Sequence, residues 1–320
     1  GREPAELVVA GGRLVDVFTE EVLDGWGVAI AAGRVAYVGP DAESRAGAET
    51  ELVDASGCLV TPGLIEGHTH LTRLRLSDFA DLQLAAGVTT SVVETTEVGF
   101  VAGPAGVKEQ LRAAAALPGR VLMTLPGGLV NFDPEYEARV APTAEWIPLL
   151  DEAGAIGIGE LYWAEVLRGH DRSDALIEAA LERGLAVEGH GAGARPAAIQ
   201  ALAAIGAGSD HEGISADDLL ARLRAGVYGM ARHGATRQDL PAIAALWAEA
   251  GVDVARLAFC TDGLEPADHV AGRSLNAVVE LALELGLPLA RAIRVASLNV
   301  AEHFGLGRWL GGLGPGMLAD

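Results

Sequence analysis

Cysteine and long apolar runs are scarce in this sequence of 320 residues. Its two cysteines, Cys58 and Cys260, lie far apart along the chain, which argues against a disulfide framework. No apolar run reaches the roughly 18–20 residues that a membrane helix needs. The first residues, GREPAEL, lack the basic and then apolar pattern of a signal peptide. We therefore expect a soluble cytoplasmic protein without a membrane partner.

Basic residues are few as well. The chain has 23 Lys and Arg residues against 44 Asp and Glu residues, and its formal net charge is -21. No local cluster of Lys or Arg residues offsets this negative net charge. Proteins that bind nucleic acids usually present a basic face to the phosphate backbone. The composition therefore argues against a nucleic-acid partner, and we expect a small-molecule substrate.

Apolar residues are abundant, at 50% of the chain, which suffices for a large core. The first sixty residues contain short Val-rich stretches separated by glycine, such as ELVVAGG and GVAIAAGRVAYVGP. This pattern predicts strands joined by turns. We assign residues 1–60 to a small β domain.

From Thr61 onward, short apolar segments alternate with stretches of helical period, a pattern typical of βα units. The eight apolar segments cover residues 64–70, 88–95, 120–126, 155–161, 185–191, 208–213, 227–234 and 256–263. Eight such units predict an α/β fold with a closed (β/α)8 barrel of the TIM type over residues 61–305. An open, doubly wound sheet is the alternative.

The last residues follow a different pattern. The pattern predicts a helix over PLARAIRVASLNVAEHFGL. It then predicts a turn that leads into another strand over GGLGPGMLAD. We interpret residues 306–320 as a segment that returns towards the β domain. Because this strand stops at Asp320, we expect that the sequence is truncated or that a following segment is missing.

Polar residues with metal-binding side chains follow several of the predicted strands. In the stretch TPGLIEGHTH, residues at spacing two point to the same side of a strand, so His68 and His70 leave the first strand together. Barrel enzymes place their chemistry at these strand ends, and imidazole and carboxylate suit zinc, manganese or iron. The candidate ligands are His68, His70, Glu160, His190, His211 and Asp262. A carboxylate such as Glu160 can bridge two ions.

One motif points to a different ligand. GHGAGA, from Gly189 to Ala194, matches the G-x-G-x-x-A form of a dinucleotide-binding turn, with Asp210 about 20 residues further on. This interpretation leaves the histidines and carboxylates of the other strand ends unexplained. We therefore favour the interpretation that these glycines let the backbone pass close to a ligand.

The motifs VTPGLIEGHTH, GELY, VEGHGAG, GSDHEG, LRAGVYGMARHGAT, FCTDG and VASLNVAEHFGLG resemble the amidohydrolase superfamily, in particular its adenine deaminase group. The resemblance implies a (β/α)8 metal barrel beside a small β domain that C-terminal residues normally complete. It also implies two ions, one held by His68, His70 and Asp262 and the other by His190 and His211. Glu160 would bridge them, and Asp262 would be the catalytic proton shuttle. Members are often homo-oligomers.

Three stretches depart from the adenine deaminase pattern. LTRLRL stands where a Glu is expected after the histidine pair, VVETTEVG where a Pro-His-Glu-like stretch is expected, and Gly263 where a second Asp is expected. The resemblance implies that the metal core is kept while the substrate contacts are altered. The candidate substrate-binding residues are Glu94, Glu97, Glu212, His233 and Gly263.

The function predicted from these residues is metal-dependent hydrolysis of a C–N bond. A metal ion lowers the pKa of bound water towards about 7, which provides hydroxide as the nucleophile. The substrate would be a purine-like or other cyclic amidine that loses ammonia. An amide or lactam hydrolase, dihydroorotase-like or dipeptidase-like, is one alternative. A non-catalytic barrel with a binding role is another, and the retention of every candidate ligand argues against it.

Overall fold

A β-rich segment precedes a large parallel sheet in the computed structural model, which describes residues 3–71, 73–127, 141–169, 171–248, 252 and 255–320. The seven strands of the first segment are β1 (Leu7–Ala10), β2 (Arg13–Asp16), β3 (Glu21–Asp24), β4 (Gly27–Ala31), β5 (Arg34–Gly39), β6 (Glu51–Asp54) and β7 (Leu59–Val60). They form one sheet in the order β5-β4-β1-β6 and a second in the order β3-β2-β7. The prediction that the first sixty residues are β-rich is confirmed.

The central sheet contains eight parallel strands in the order of the chain. They are β8 (Leu64–His70), β9 (Val88–Glu94), β10 (Arg120–Pro126), β11 (Ala155–Tyr162), β12 (Ala186–His190), β13 (Ser209–Asp210), β14 (Tyr228–Arg232) and β15 (Leu257–Cys260). The backbone N–H of Asp262, just after β15, donates to the carbonyl of His68 in β8 at 3.0 Å, which joins the first strand to the last. The predicted (β/α)8 barrel is confirmed, and the open doubly wound sheet is wrong.

Helices surround this sheet. In chain order they are α1 (Leu76–Ala85), α2 (Thr96–Ala114), α3 (Thr143–Trp146), α4 (Trp163–Val166), α5 (Asp171–Glu182), α6 (Pro196–Ala204), α7 (Ala216–Arg224), α8 (Leu240–Ile243), α9 (Ala245–Ala248), α10 (Pro266–Val270), α11 (Leu275–Glu284), α12 (Leu289–Val295) and α13 (Leu298–His303). A kink interrupts α2 at Gly103, whose φ of 63° lies in the left-handed region. Within the described ranges, no helix has the length and apolar character that crossing a membrane requires.

Apolar periodicity explains how the helices pack. In α11, the buried residues Leu275, Val278, Val279 and Ala282 recur at the spacing of one helix face. This face joins a cluster that includes Phe259 of β15. The core of the barrel domain therefore lies between the strands and the helix ring, and it holds the strand ends in fixed positions.

The last residues of the chain contact the β-rich segment. The N–H of Val35 donates to the carbonyl of Met317 at 2.9 Å, and the N–H of Ala319 donates to the carbonyl of Gly33 at 3.1 Å. Leu318 forms an antiparallel bridge with Arg34. Residues 317–319 thus lie beside the β-rich segment, while the return segment 306–320 and the domain boundaries at residues 60 and 305 stay predictions.

Truncation of Phe259 tests the importance of this core. Phe259 has no exposed surface, and a Phe→Ala change at such a site costs about 3–5 kcal/mol because it removes apolar contacts and leaves a cavity. We expect Phe259→Ala to lower the free energy of unfolding by that amount in chemical denaturation. Leu52→Ala, at a side chain that is 65% exposed, is the control and should cost less than about 1 kcal/mol. Equal losses in the two variants would contradict this description of the core.

Candidate metal centre

The glutamate at the end of β11 lies at the centre of a histidine cluster. Glu160 Oε1 is 3.2 Å from His68 Nε2, 3.4 Å from His70 Nε2 and 3.1 Å from His211 Nε2. Its second oxygen, Oε2, is 3.3 Å from Nδ1 of His190. Four imidazoles from two strands and one strand-end loop therefore converge on one carboxylate.

Asp262 supplies a second carboxylate on the His68 side of the cluster. Its Oδ1 is 3.4 Å from His68 Nε2 and 3.5 Å from His70 Nε2. Asp262 has a φ of 57°, a left-handed conformation that is uncommon for a residue with a Cβ. Its backbone N–H bond to His68 fixes this turn, so the carboxylate points back at the imidazoles.

The residues present fit a divalent metal ion. In the part of the chain that the structure describes, Nε2 of His68, Nδ1 of His190 and Nε2 of His211 are buried and have no hydrogen-bond partner. Buried polar atoms are normally paired, so unpaired nitrogens that point at a shared carboxylate fit the coordination of a cation. The donor atoms form three overlapping groups whose members lie within 4.8 Å of one another: His68, His70, Glu160 and Asp262; Glu160, His190 and His211; and His211, Glu212 and Asp262.

The charge state of the two carboxylates agrees with binding of a divalent cation. Burial raises the pKa of Glu160, but the adjacent imidazoles of His190 and His211 outweigh burial and hold this pKa well below its usual value. Burial likewise opposes ionisation of Asp262, but the adjacent imidazole of His68 lowers the pKa of Asp262 below its usual value. Both groups are therefore negative at neutral pH, as ligands of a cation must be.

A buried glutamate joins the first and last strands beneath the cluster. Oε1 of Glu66 accepts hydrogen bonds from the backbone N–H groups of His68, at 3.2 Å, and Thr261, at 2.9 Å. Burial raises the pKa of Glu66 to about 7. Glu66 was not predicted as a site residue, although its spacing of two from His68 places both side chains on the same side of β8.

A cavity of about 340 Å³ opens onto the cluster. It is lined by His70, Arg73, Glu97, Glu160, Tyr162, His190, Ala235, Thr236, Asp262, Gly263, Leu264 and Glu265. The ring of Tyr162, which is 42% exposed, lies 4.5 Å from the ring of His190. The cavity therefore combines charged groups with one aromatic face next to the candidate ligands.

Two of the five candidate substrate-binding residues line this cavity. Glu97 is one, and its Oε1 also lies 2.8 Å from Nδ1 of His70. Such a bond orients the ring so that its other nitrogen, Nε2, faces the cluster. Gly263 is the other, and its φ of 109° strongly favours glycine.

The other three candidates do not line this cavity. Glu94 is 2% exposed and accepts a hydrogen bond at 2.7 Å from Oγ1 of Thr124, while burial and the charge of Glu160 raise the pKa of Glu94 to about 8. Glu212 and His233 line neighbouring cavities instead. Thr72, in the stretch after the histidine pair, lies outside the described residues.

The glycine-rich motif has a structural explanation. Gly191 lies in the loop between β12 and α6, and a Cβ at this position would come within 2.0 Å of Oδ2 of Asp210. The glycine therefore makes room for a buried aspartate. The expectation that these glycines let the backbone approach a ligand stays a prediction.

Several residues near the cluster were not anticipated from the sequence. Tyr162 follows Glu160 at spacing two, a signal that could have identified it as a residue on the same side of β11. Arg73 and Glu265 come from loops after the first and last barrel strands and contact each other at the cavity. Their contact is between residues far apart in sequence, so no local pattern predicts it.

Comparison with known proteins agrees with this arrangement. The chain is 37% identical over 331 aligned residues to adenine deaminase 3 of Rhizobium meliloti (strain 1021) and covers 55% of that protein. It is 35% identical over 336 aligned residues to adenine deaminase of Moorella thermoacetica and covers 54% of it. Both alignments include 100% of this chain, which thus spans about half the length of the curated relatives it matches.

A solved structure shares the fold. An adenosine deaminase from Xanthomonas campestris with bound Zn superposes with a TM-score of 0.63 at 18% identity, over 100% of this chain and 84% of the other. A (β/α)8 barrel with histidines and carboxylates at the carboxyl ends of its strands defines a class of metal-binding barrels. The model of the amidohydrolase family matches residues 59–320. The chain belongs to the amidohydrolase family.

Proposed function

We propose that this chain is a metal-dependent hydrolase that removes the amino group of a purine-like cyclic amidine. The observation that carries the proposal is the convergence of His68, His70, His190 and His211 on Glu160 beside an open cavity. The relatives named adenine deaminases, at 35–37% identity over the whole chain, support the substrate class.

Two ions are proposed, each a zinc, manganese or iron ion. His68, His70 and Asp262 would hold one, His190 and His211 would hold the other, and Glu160 would contact both. This assignment follows the two groups of donor atoms that include Glu160. A bound divalent ion supplies a water molecule whose pKa is lowered towards about 7, which makes a nucleophile available at neutral pH.

Asp262 is the residue that moves the proton. Its carboxylate borders both the imidazoles and the cavity, so it can accept a proton from the attacking water. A C–O bond forms at the amidine carbon and the C–N bond breaks. The proton then passes from Asp262 to the departing nitrogen, which leaves as ammonia.

The cavity walls favour a small planar ring. The exposed face of Tyr162 provides a surface on which a heterocycle stacks. Glu97 and Glu265 offer acceptor oxygens to ring N–H or amino groups, and Arg73 offers donors to ring nitrogens or carbonyl oxygens. These contacts suit an amino-substituted heterocycle, with adenine as the first compound to test.

A substrate screen tests the proposed reaction. Purified protein loaded with zinc or manganese is incubated with purines, pterins, hydantoins and N-acyl amino acids, while ammonia and ring absorbance are followed together. We expect one ammonia per amino-purine or related amidine consumed. Opening of a hydantoin ring without ammonia would identify an amide hydrolase instead, and no turnover of any compound by metal-loaded protein would reject the proposal.

Removal of metal should lower the thermal midpoint of unfolding. An ion present at about 1,000 times its Kd contributes about 4 kcal/mol, which corresponds to a shift of roughly 6 °C in a chain of 320 residues, because the entropy of unfolding is about 2.1 cal/mol/K per residue. We expect that drop when a chelator is added to metal-loaded protein, measured by calorimetry, and its reversal when zinc or manganese is restored. An unchanged midpoint in the presence of the chelator would show that the cluster holds no ion.

A further inference from the structure

A buried arginine contacts three carboxylates next to the cluster. Arg232 ends β14 and its side chain is 2% exposed. Nη1 donates to Oδ2 of Asp262 at 2.9 Å and also to Oε1 of Glu212. Nε and Nη2 donate to Oδ2 of Asp239 at 3.2 Å and 3.1 Å. Three carboxylates thus share one buried guanidinium.

This arginine determines how Asp262 faces the cluster. Oδ1 of Asp262 is the oxygen that lies near His68 and His70. Oδ2 is held by Arg232 and lies 3.5 Å from Oγ1 of Thr236, which lines the cavity. Because the guanidinium is planar and donates in fixed directions, it restricts rotation of the carboxylate and keeps Oδ1 towards the imidazoles.

The same guanidinium holds Glu212 against the other half of the cluster. Oε1 of Glu212, which accepts from Arg232, is 3.6 Å from Nε2 of His211 and 3.9 Å from Nε2 of His190. His211, Glu212 and Asp262 are close enough together to hold a cation themselves. The positive charge beside this group is that of Arg232.

A hairpin fixes the arginine from the other side. The N–H of Asp239 donates to the carbonyl of Arg232 at 3.1 Å, and the N–H of Gly234 donates to the carbonyl of Arg237 at 2.8 Å. A Cβ at Gly234 would lie only 1.7 Å from the carbonyl oxygen of Thr261, so the hairpin packs directly on the segment before Asp262. The hairpin therefore holds the Asp239 carboxylate against the guanidinium.

We propose that Arg232 is a positioning residue for the hydrolysis, which holds the carboxylates of Asp262 and Glu212 against the two halves of the metal cluster. This inference rests on the proposed function. The absence of the arginine would leave both carboxylates buried without their common partner, and they would turn away or attract another cation.

Kinetics and metal content of two Arg232 variants test the inference. Arg232→Met removes the positive charge and the hydrogen-bond donors. Arg232→Lys keeps a positive charge but lacks the planar guanidinium whose several N–H groups contact three carboxylates. Arg294→Met is the matched control, because Arg294 is also largely buried and donates to Val17 and Asn299, which do not line the cavity. Each protein is loaded with zinc, and kcat, KM, zinc per chain and thermal midpoint are measured.

We expect kcat of Arg232→Met to fall at least 100-fold, with KM within about threefold of wild type, and kcat of Arg232→Lys to fall about tenfold. Arg294→Met should lose thermal stability but keep its kcat. A kcat within threefold of wild type in Arg232→Met would overturn the inference. If that variant does not fold, full activity of Arg232→Lys would overturn it.

Zinc binding separates failure of the inference from failure of the proposed function. If the wild-type chain turns over no compound, zinc titration of the same variants still reports on Arg232. We then expect Arg232→Met to bind zinc with changed stoichiometry or at least tenfold changed affinity, while Arg294→Met binds as wild type does. Zinc binding of Arg232→Met identical to wild type would overturn the positioning role.

Discussion

Replacement of Glu160 by glutamine is expected to lower kcat/KM at least 10,000-fold, which corresponds to about 5.5 kcal/mol. Among the described residues, Glu160 is the one carboxylate whose oxygens face the nitrogens of His68, His70, His190 and His211 together. Glutamine has almost the same shape but no charge, and its NH2 group presents donors where ligand oxygens are required. Both proposed ion positions are therefore weakened by a single change.

Metal analysis by plasma mass spectrometry and an ammonia assay check this expectation. Glu160→Gln should hold fewer ions per chain than wild type after dialysis against the same buffer. Glu165→Gln is the control, because Glu165 follows on the same segment and pairs with Arg168 away from the cluster. A Glu160→Gln protein with wild-type ion content and activity would show that Glu160 is a buried structural carboxylate only.

Replacement of Asp262 by asparagine is expected to reduce kcat about 1,000-fold, a size typical of the loss of a general acid or base. Asparagine keeps an oxygen that can face His68 and His70, but it cannot accept a proton from water and return it to the leaving nitrogen. Since the cavity walls are unchanged, KM should stay within about threefold of wild type. Steady-state kinetics on the substrate identified in the screen provide the measurement.

Asp174→Asn is a suitable control for this change, because Asp174 is exposed on α5. Circular dichroism and thermal midpoint of the two variants show whether each is folded. If Asp262→Asn retained more than a tenth of the wild-type kcat, the proton would have to move through another group. Glu97, which also lines the cavity, would then be the next residue to test.

The barrel could be predicted because each of its strands has a local signature. Leu64, Ile65 and the period-two pair of His68 and His70 identify the first strand and its polar end within ten residues. Polar residues such as His190 and Asp262 follow apolar strands in the same way. Since parallel strands place their carboxyl ends at one edge of the sheet, the sequence pattern was sufficient to predict that the candidate ligands lie close together.

Contacts that depend on the packing of distant segments could not be predicted in this way. Glu97 was expected to contact substrate, yet its closest partner is Nδ1 of His70, which depends on where α2 begins relative to β8. Glu94 ends a strand as the ligands do, but its carboxylate accepts bonds from Thr96 and Thr124. The sequence around Arg232 gives no sign of its role, because its contacts with Asp239 and Asp262 form only in the folded structure.

The most direct measurement is anomalous X-ray diffraction from crystals of zinc-loaded or manganese-loaded protein, collected at the absorption edge of the metal. We predict strong anomalous peaks within coordination distance of Glu160, one beside His68, His70 and Asp262 and one beside His190 and His211. Peaks that lie only at surface carboxylates, with none among these six side chains, would contradict the account.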